Sequence, residues 1–342
     1  IVYAVISFVN HYMFRTNAHD FGIFNQALYD YAHFRFNNNT VIQPAFGNIL
    51  SDHFELLMMI VSPLYYLFGS YTLLIVQIVA IIIGGHGIYR YIQLISDNAK
   101  LALSASVQFF LFFGIFSALA FDFHNNVLGT MAVPWMFYYF RKGNWKSFSL
   151  TLVIFLISKE NMALWGFFIF SGIAIMYRKD RRKFISALLF GLVSLFYFLL
   201  IVKYVIPAFG KPGSEYLHFR YSALGNNIGE AIGTIFSRPI YSVNILFTNH
   251  LHIPKADFVK TELHLSVLLS GALLLILRPY YFLMLLPIYG QKLFCDIDSY
   301  WGLGAHYSVE FIPIITIGAF SIISDIDKIK LRRIASYILI LM

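Results

Sequence analysis

The chain has 342 residues, of which 59% are hydrophobic and 12% are charged, and its mean hydropathy is +0.69. A soluble domain carries roughly 25% charged residues, so this composition excludes a soluble globular protein and makes a lipid bilayer the solvent for most of the surface. The net charge of +8 does not indicate nucleic-acid binding, because the basic residues collect in short clusters between apolar runs.

The apolar runs predict helices, since backbone groups in hydrocarbon must pair within their own segment. We expect about eleven helices, over residues 1–14, 71–92, 101–120, 126–140, 147–158, 161–177, 184–206, 263–277, 280–291, 308–323 and from 334 onward. The sequence therefore predicts an all-α, polytopic transmembrane bundle that forms a single domain over residues 1–342. A single cysteine, Cys295, gives no internal disulfide and no cysteine-based metal site.

Two long polar segments, residues 15–69 and 207–262, are predicted to be loops on one side of the membrane. Within the first, residues 53–69 are apolar enough to span, but a span there would place every later basic cluster on the wrong side. Pro63 and the Tyr65-Tyr66 pair favour an interfacial or re-entrant helix.

The junctions between helices are of two kinds. Basic junctions lie at residues 141–146, 178–183 and 328–333, and with neighbouring residues they hold about 15 of the 25 basic residues, which indicates the cytoplasmic side. The other junctions contain His, Asp, Glu, Asn and Gln, and alternation places them on the extracytoplasmic side. We expect this second face to carry the chemistry.

Asp20 is the first candidate for a catalytic residue, because it follows the first helix where a carboxylate can face both lipid headgroups and an aqueous acceptor. It could accept a proton from an attacking hydroxyl. Equally, it could be the N-cap of a helix that starts near Phe21.

Four further junctions hold candidates for a binding pocket. Asp122 and His124 are spaced to face the same way and are candidate ligands for Mg²⁺, Mn²⁺ or Zn²⁺, although a plain solvated turn has the same pattern. Lys159 and Glu160 interrupt two apolar helices, where ionisable groups are costly unless they line a polar cavity; a structural ion pair is the alternative. His53, His306 and Tyr307 are weaker candidates, and Arg220 and Lys292 are further cations on this side.

The motifs of soluble nucleotide-dependent enzymes and of common hydrolases are missing: the sequence has no P-loop, no G-x-G-x-x-G after a strand, no G-x-S-x-G and no H-E-x-x-H. No nucleotide cofactor is expected.

The order Asp20-x-Gly22-x-x-x-Gln26, His53-Phe54, Pro63-Leu64-Tyr65, Gln77, Asp122-Phe123-His124, Lys159-Glu160 and His306-Tyr307 resembles a bacterial and archaeal family of membrane proteins of unknown function. That family is grouped with the GT-C-type glycosyltransferases, and the resemblance spans nearly the whole chain. It implies an enzyme of the prokaryotic plasma membrane whose active face is extracytoplasmic.

The resemblance also implies roles for single residues. Asp20 matches the catalytic carboxylate of the first extracytoplasmic loop, residues 53–69 match a juxtamembrane helix, and Lys159 matches a lysine near a lipid phosphate. The donor would be a polyprenyl-phosphate-linked sugar, with Arg220 and Lys292 helping Lys159 to bind its phosphate. His53, Asp122, His124, Glu160, His306 and Tyr307 would form the acceptor or metal pocket. A lone Asp20 stands where the relatives have an acidic pair, so dependence on a divalent cation stays open.

Two other classes of function fit the same residues. One is a transporter or flippase of a lipid-linked or anionic solute, which should show internal repeats and polar residues at the membrane midplane. The other is a non-catalytic scaffold in the cell envelope. The sequence shows no internal symmetry, which favours the enzyme.

Overall fold

The computed structural model describes residues 1–36, 39–42, 48–211, 216 and 218–341, and within these it is all-helical with no β-strand. The predicted all-α class is confirmed. The α-helices are α1 (Val2–Tyr12), α2 (Asp20–Ala32), α3 (Ile49–Asp52), α4 (Leu57–Val61), α5 (Tyr65–Phe68), α6 (Thr72–Ser96), α7 (Ala99–Leu111), α8 (Phe113–Phe121), α9 (Asn125–Lys142), α10 (Trp145–Leu156), α11 (Glu160–Met176), α12 (Arg181–Leu200), α13 (Ile206–Phe209), α14 (Ile228–Ser237), α15 (Pro239–Phe247), α16 (Val259–Leu269), α17 (Tyr280–Leu293), α18 (Phe311–Ser324) and α19 (Ile329–Leu341).

Polar side chains in the junctions set where several of these helices begin. The side chains of Asn98, Asn144 and Asp180 each accept a hydrogen bond from a backbone N–H in the first turn of the helix that follows. Gly143 ends α9 with a φ of +69°, a conformation that favours glycine. The basic junctions at residues 141–146 and 178–183 are therefore tight helix-to-helix turns.

Residues 53–69 do not form one regular helix. They form α4, a 3₁₀ turn over Ser62–Leu64 that contains Pro63, and α5. Gly69, with a φ of +54°, then begins a second 3₁₀ turn that leads into α6. Proline cannot donate within a helix and crowds the preceding turn, which explains the change in helix type. Together with α6 these pieces make a 40-residue helical stretch, about twice the length that spans a bilayer.

Fewer helices than predicted have the length of a full span. By length and composition, Leu57–Ser96 and Arg181–Phe209 could cross a membrane, and the bent pair α7 and α8 makes a third if it counts as one span. Four more apolar helices are shorter: α10, α11, α14 and α18. The described residues thus form mostly apolar helices, of which two or three have spanning length.

The bundle has two chemically different ends, because several helices run from one to the other. Helix α9 starts beside the polar junction 122–124 and has 18 residues, so its other end is about 27 Å away. Helix α11 starts at Glu160, another polar junction, and ends next to the basic junction 178–183. The polar junctions therefore share one end.

Basic side chains meet at the opposite end. There the Arg141 guanidinium donates to the Tyr177 hydroxyl (3.4 Å) and Lys183 Nζ donates to the backbone oxygen of Arg141 (3.3 Å). Arg278 pairs with Asp325, which lies just after the last residue of α18. The segregation of the two kinds of junction, expected from the sequence, is present in the fold.

Candidate functional site

A cavity of about 340 Å³ opens at the polar end of the bundle. Its volume is within the range of small-molecule sites. All but one of the site residues predicted from the sequence line it: Asp20, His53, His124, Lys159, Glu160, Arg220, Lys292, His306 and Tyr307. The remaining one, Asp122, contacts His124. Residues from seven separate segments of the chain thus converge on one space.

Asp20 is the first residue of α2 and does not cap it. The side chain of Asn17 instead accepts from the backbone N–H groups of His19 (3.0 Å) and Asp20 (3.4 Å). The cap position is His19, whose side chain makes no capping bond. The alternative interpretation of Asp20 as an N-cap is therefore wrong. Its carboxylate lies 3.3 Å from His19 Nδ1, is 36% exposed and faces the cavity.

Asp122 and His124 point the same way, as their spacing predicts. His124 Nδ1 lies 3.0 Å from Asp122 Oδ1, and both side chains are buried. Gln77 holds the turn between them: its amide donates to the Asp122 carbonyl (2.7 Å) and its oxygen accepts from the His124 N–H (3.0 Å). Burial, with the nearby Asp20 carboxylate, raises the pKa of Asp122 to about 8, and burial lowers the pKa of His124. The raised pKa of Asp122 and the lowered pKa of His124 both favour the neutral forms of the two side chains.

His306 extends this pair into the cavity. Its ring stacks on that of His124 with centroids 3.4 Å apart. Burial, with the neighbouring His124, lowers its pKa well below the usual range, so it is neutral. Next to it, the Glu310 carboxylate accepts from the Asn126 amide (2.7 Å). The predicted His306-Tyr307 junction therefore belongs to the same wall as Asp122 and His124.

Lys159 is bound to a carboxylate that the sequence did not single out. Its Nζ lies 3.6 Å from Oε1 of Glu55, which is fully buried, and the other Glu55 oxygen accepts from the Asn125 amide (2.9 Å). The backbone holds the two segments together, since the N–H of Leu56 donates to the Ile157 carbonyl (2.9 Å). Burial opposes the charged form of Lys159, but Glu55 and Glu160 outweigh it and raise its pKa. Lys159 is thus part of a structural ion pair as well as the cavity wall.

We expect Lys159→Met to destabilise the protein by about 3 kcal/mol, because it leaves the buried Glu55 without its cation. The double variant Lys159→Met/Glu55→Gln should recover most of that loss. Thermal unfolding in detergent measures both. A double variant as unstable as the single one would contradict the ion pair.

Glu160, at the start of α11, fixes the segment that carries His53. Its Oε1 accepts from His53 Nδ1 (2.8 Å) and from the Tyr216 hydroxyl (3.1 Å), and its Oε2 accepts from the Phe54 N–H (3.2 Å). Burial and Lys159 disfavour the charged imidazole, but Glu160 and Asp52 outweigh them and raise the pKa of His53. Both carboxylate oxygens of Glu160 therefore accept hydrogen bonds from the segment that carries His53.

Two residues of this site, Asp52 and His218, are not among the predicted site residues; beside His53, Asp52 alone indicates only a helix cap or interfacial polarity. His218 Nε2 lies 2.6 Å from Asp52 Oδ1, and its ring stacks on His53 with centroids 4.1 Å apart. Burial, then the neighbouring His53, lowers the pKa of His218. Burial alone would raise the pKa of Asp52, but His53 and His218 outweigh burial, and the pKa of Asp52 is lowered. Asp52 adjoins the predicted His53, which was the available signal. No sequence pattern connects His218 with residue 52.

The two remaining predicted cations differ in how they are held. Lys292 is buried and donates to the Gly302 carbonyl (3.0 Å) and the Ser308 hydroxyl (3.2 Å). Arg220 is exposed, and among the described residues no carboxylate forms an ion pair with its guanidinium. Arg220 is therefore the cation with donors available to a ligand.

The comparisons with known proteins agree with this membrane character. A family model described as "Predicted membrane protein (DUF2079)" matches residues 10–342, nearly the whole chain. The chain belongs to this family. The expected family of membrane proteins of unknown function is thus confirmed. No curated protein and no solved structure shows significant similarity to the chain.

Proposed function

We propose that this DUF2079 protein transfers a sugar from a polyprenyl-phosphate-linked donor to an acceptor hydroxyl at the membrane surface. The observation that supports it best is the cavity itself: an exposed carboxylate, Asp20, and an exposed guanidinium, Arg220, line one space at one end of an apolar helical bundle. A base and a phosphate-binding cation are the two groups that this reaction needs.

In the proposed reaction, Asp20 accepts the proton of the acceptor hydroxyl as its oxygen attacks the anomeric carbon. The new bond joins the acceptor oxygen to the sugar, and the bond between the anomeric carbon and the phosphate oxygen breaks. Polyprenyl phosphate leaves with that electron pair and an added negative charge. A cation placed at the phosphate stabilises the charge as it develops.

Arg220 is the phosphate ligand that the contacts favour. A guanidinium presents parallel N–H donors that match two phosphate oxygens. Lys159 and Lys292 are both held by protein groups, Lys159 by Glu55 and Lys292 by Gly302 and Ser308. We assign Lys159 to the positive potential of the cavity, with Arg220 in direct contact. Burial lowers the pKa of Lys292 to about 7, so this lysine contributes only part of a charge. His53, Asp122, His124, Glu160, His306 and Tyr307 would form the acceptor side.

The same proposal sets the orientation. The shorter apolar helices would also cross the membrane, giving the expected polytopic GT-C-like bundle. The basic end would face the cytoplasm of a prokaryote, and the cavity the extracytoplasmic side. The carrier lipid is already phosphorylated, so the reaction needs no nucleotide.

We expect Arg220→Ala to weaken binding of undecaprenyl phosphate, presented in lipid nanodiscs, by about ten- to a hundredfold, since one charge-assisted contact contributes about 1.5–3 kcal/mol. Arg238, exposed outside the cavity, provides the matched control Arg238→Ala. Nanodiscs with undecaprenol separate phosphate binding from chain binding. Equal affinity for the phosphate and the alcohol would contradict the proposal.

The transporter alternative predicts a different result with the same lipid. A flippase would move labelled polyprenyl phosphate across proteoliposomes without forming a glycosidic bond. The cavity lies at one end of the bundle rather than at mid-length, where alternating access places its binding sites. This position supports the transferase.

A further inference from the structure

Three potential metal ligands meet in one corner of the cavity. Asp52, His53 and His218 each contribute a carboxylate oxygen or ring nitrogen, and these atoms lie within 4.8 Å of one another. All three residues line the cavity. Among the described residues, no other group of three or more His, Cys, Asp or Glu side chains has its candidate ligand atoms this close together.

Glu160 fixes the ring of His53. Its Nδ1 donates to Glu160 Oε1 at 2.8 Å, so Nδ1 carries a hydrogen and Nε2 is the nitrogen left for a metal ion, which would displace any proton there. Glu160 is fixed in turn by the Tyr216 hydroxyl and the Phe54 N–H. A carboxylate that orients a histidine in this way is the usual second partner of a metal-bound imidazole.

The other two ligands share a proton that a metal ion can replace. Asp52 Oδ1 and His218 Nε2 are 2.6 Å apart, which requires a hydrogen between them. A cation bound to both atoms would release that proton to solvent. The His218 ring must also turn out of its stack on His53, because lone pairs lie in the ring plane.

We propose that Asp52, His53 and His218 bind a divalent transition metal ion of the Zn²⁺ or Co²⁺ type, with Glu160 as the group that orients His53. Two imidazole nitrogens and one carboxylate oxygen are a donor set for such ions, whereas Mg²⁺ prefers oxygen ligands. This site differs from the Asp122–His124 pair that the sequence suggested for a metal, and it does not depend on the proposed transferase activity.

Metal content tests the site directly. Protein purified in detergent is stripped with a chelator and titrated with Co²⁺, followed by its visible absorption, and Zn²⁺ is counted by mass spectrometry after dialysis. We expect about one equivalent per chain. Asp52→Asn and His218→Gln should each weaken binding more than about a hundredfold, and Glu160→Gln by about ten- to a hundredfold.

His33→Gln is the matched control. His33 belongs to the same polar segment, residues 15–69, as Asp52 and His53, but it lies outside the cavity and its ring bonds to the Tyr29 carbonyl. Its metal binding should equal that of the unaltered protein. The proposal is overturned if the unaltered protein binds no Co²⁺ or Zn²⁺, or if Asp52→Asn and His218→Gln bind as much as His33→Gln. Size-exclusion profiles show which variants fold, and the titration of the unaltered protein decides even if one of them does not. Loss of transferase activity alone would bear on the proposed function and not on this site.

Discussion

Asp20→Asn is expected to reduce sugar transfer from a polyprenyl-phosphate donor by about a hundred- to ten-thousandfold, the contribution of a positioned general base. Asparagine keeps the size of the side chain but cannot accept the acceptor's proton. Because Asp20 makes no capping bond and is 36% exposed, the substitution removes no buried contact. Folding should therefore be unaffected. The measurement is product formation in proteoliposomes that contain a panel of polyprenyl-phosphate sugars.

Asp30→Asn is the control for this experiment, since Asp30 belongs to the same helix but does not line the cavity. It should keep full activity. If Asp20→Asn transfers sugar at the unaltered rate, Asp20 is not the base. If neither the unaltered protein nor Asp30→Asn forms a glycosidic bond with any donor of the panel, the transferase proposal fails, and the scaffold or transporter class takes its place.

Asp122 is expected to make stability fall as pH rises through the neutral range. Its pKa is raised to about 8 by burial, then by Asp20, whereas an unfolded aspartate titrates near about 3.9. The folded protein therefore binds the extra proton, and its free energy of unfolding decreases with pH until about pH 8. Between about pH 6.5 and pH 8 this amounts to roughly 2 kcal/mol.

Asp122→Asn isolates this contribution, because the amide imitates the protonated acid. His124 acts in the opposite sense, since its lowered pKa makes stability rise with pH until about one unit above the unfolded pKa of about 6.5. This effect is present in both proteins and cancels from their difference. Chemical unfolding of both proteins in detergent at pH 6.5 and pH 8 gives the difference. The unaltered protein should lose about 2 kcal/mol more than the variant, and parallel losses would show that Asp122 is ionised in the fold.

The helices were predictable from the sequence because apolar backbone in a bilayer has few alternatives. The junction residues were predictable too: Asp122 and His124 face each other, and Lys159 and Glu160 line the cavity. These predictions depend on local features of the sequence, such as where an apolar run stops and which side chain interrupts it. Spacing and composition carry that information.

The partners of those residues were not predictable. Lys159 pairs with Glu55 across about a hundred residues, and Asp52 pairs with His218 across more. Such contacts depend on how the first loop folds against the 157–159 turn, which no periodicity encodes. For the same reason the sequence suggests Asp122 and His124 as metal ligands, although the three candidate ligands that lie together are Asp52, His53 and His218. The sequence also predicts that Lys159 binds the donor phosphate, because nothing in it indicates that Lys159 pairs with the buried Glu55 carboxylate.

The most direct test of the transferase proposal is a cryo-electron microscopy map of the protein in nanodiscs with undecaprenyl phosphate. We predict phosphate density in the cavity, within hydrogen-bonding distance of the Arg220 guanidinium and facing Asp20. Phosphate density at the basic end of the bundle, beside Arg141 and Lys183, or a cavity sealed from the lipid, would contradict it.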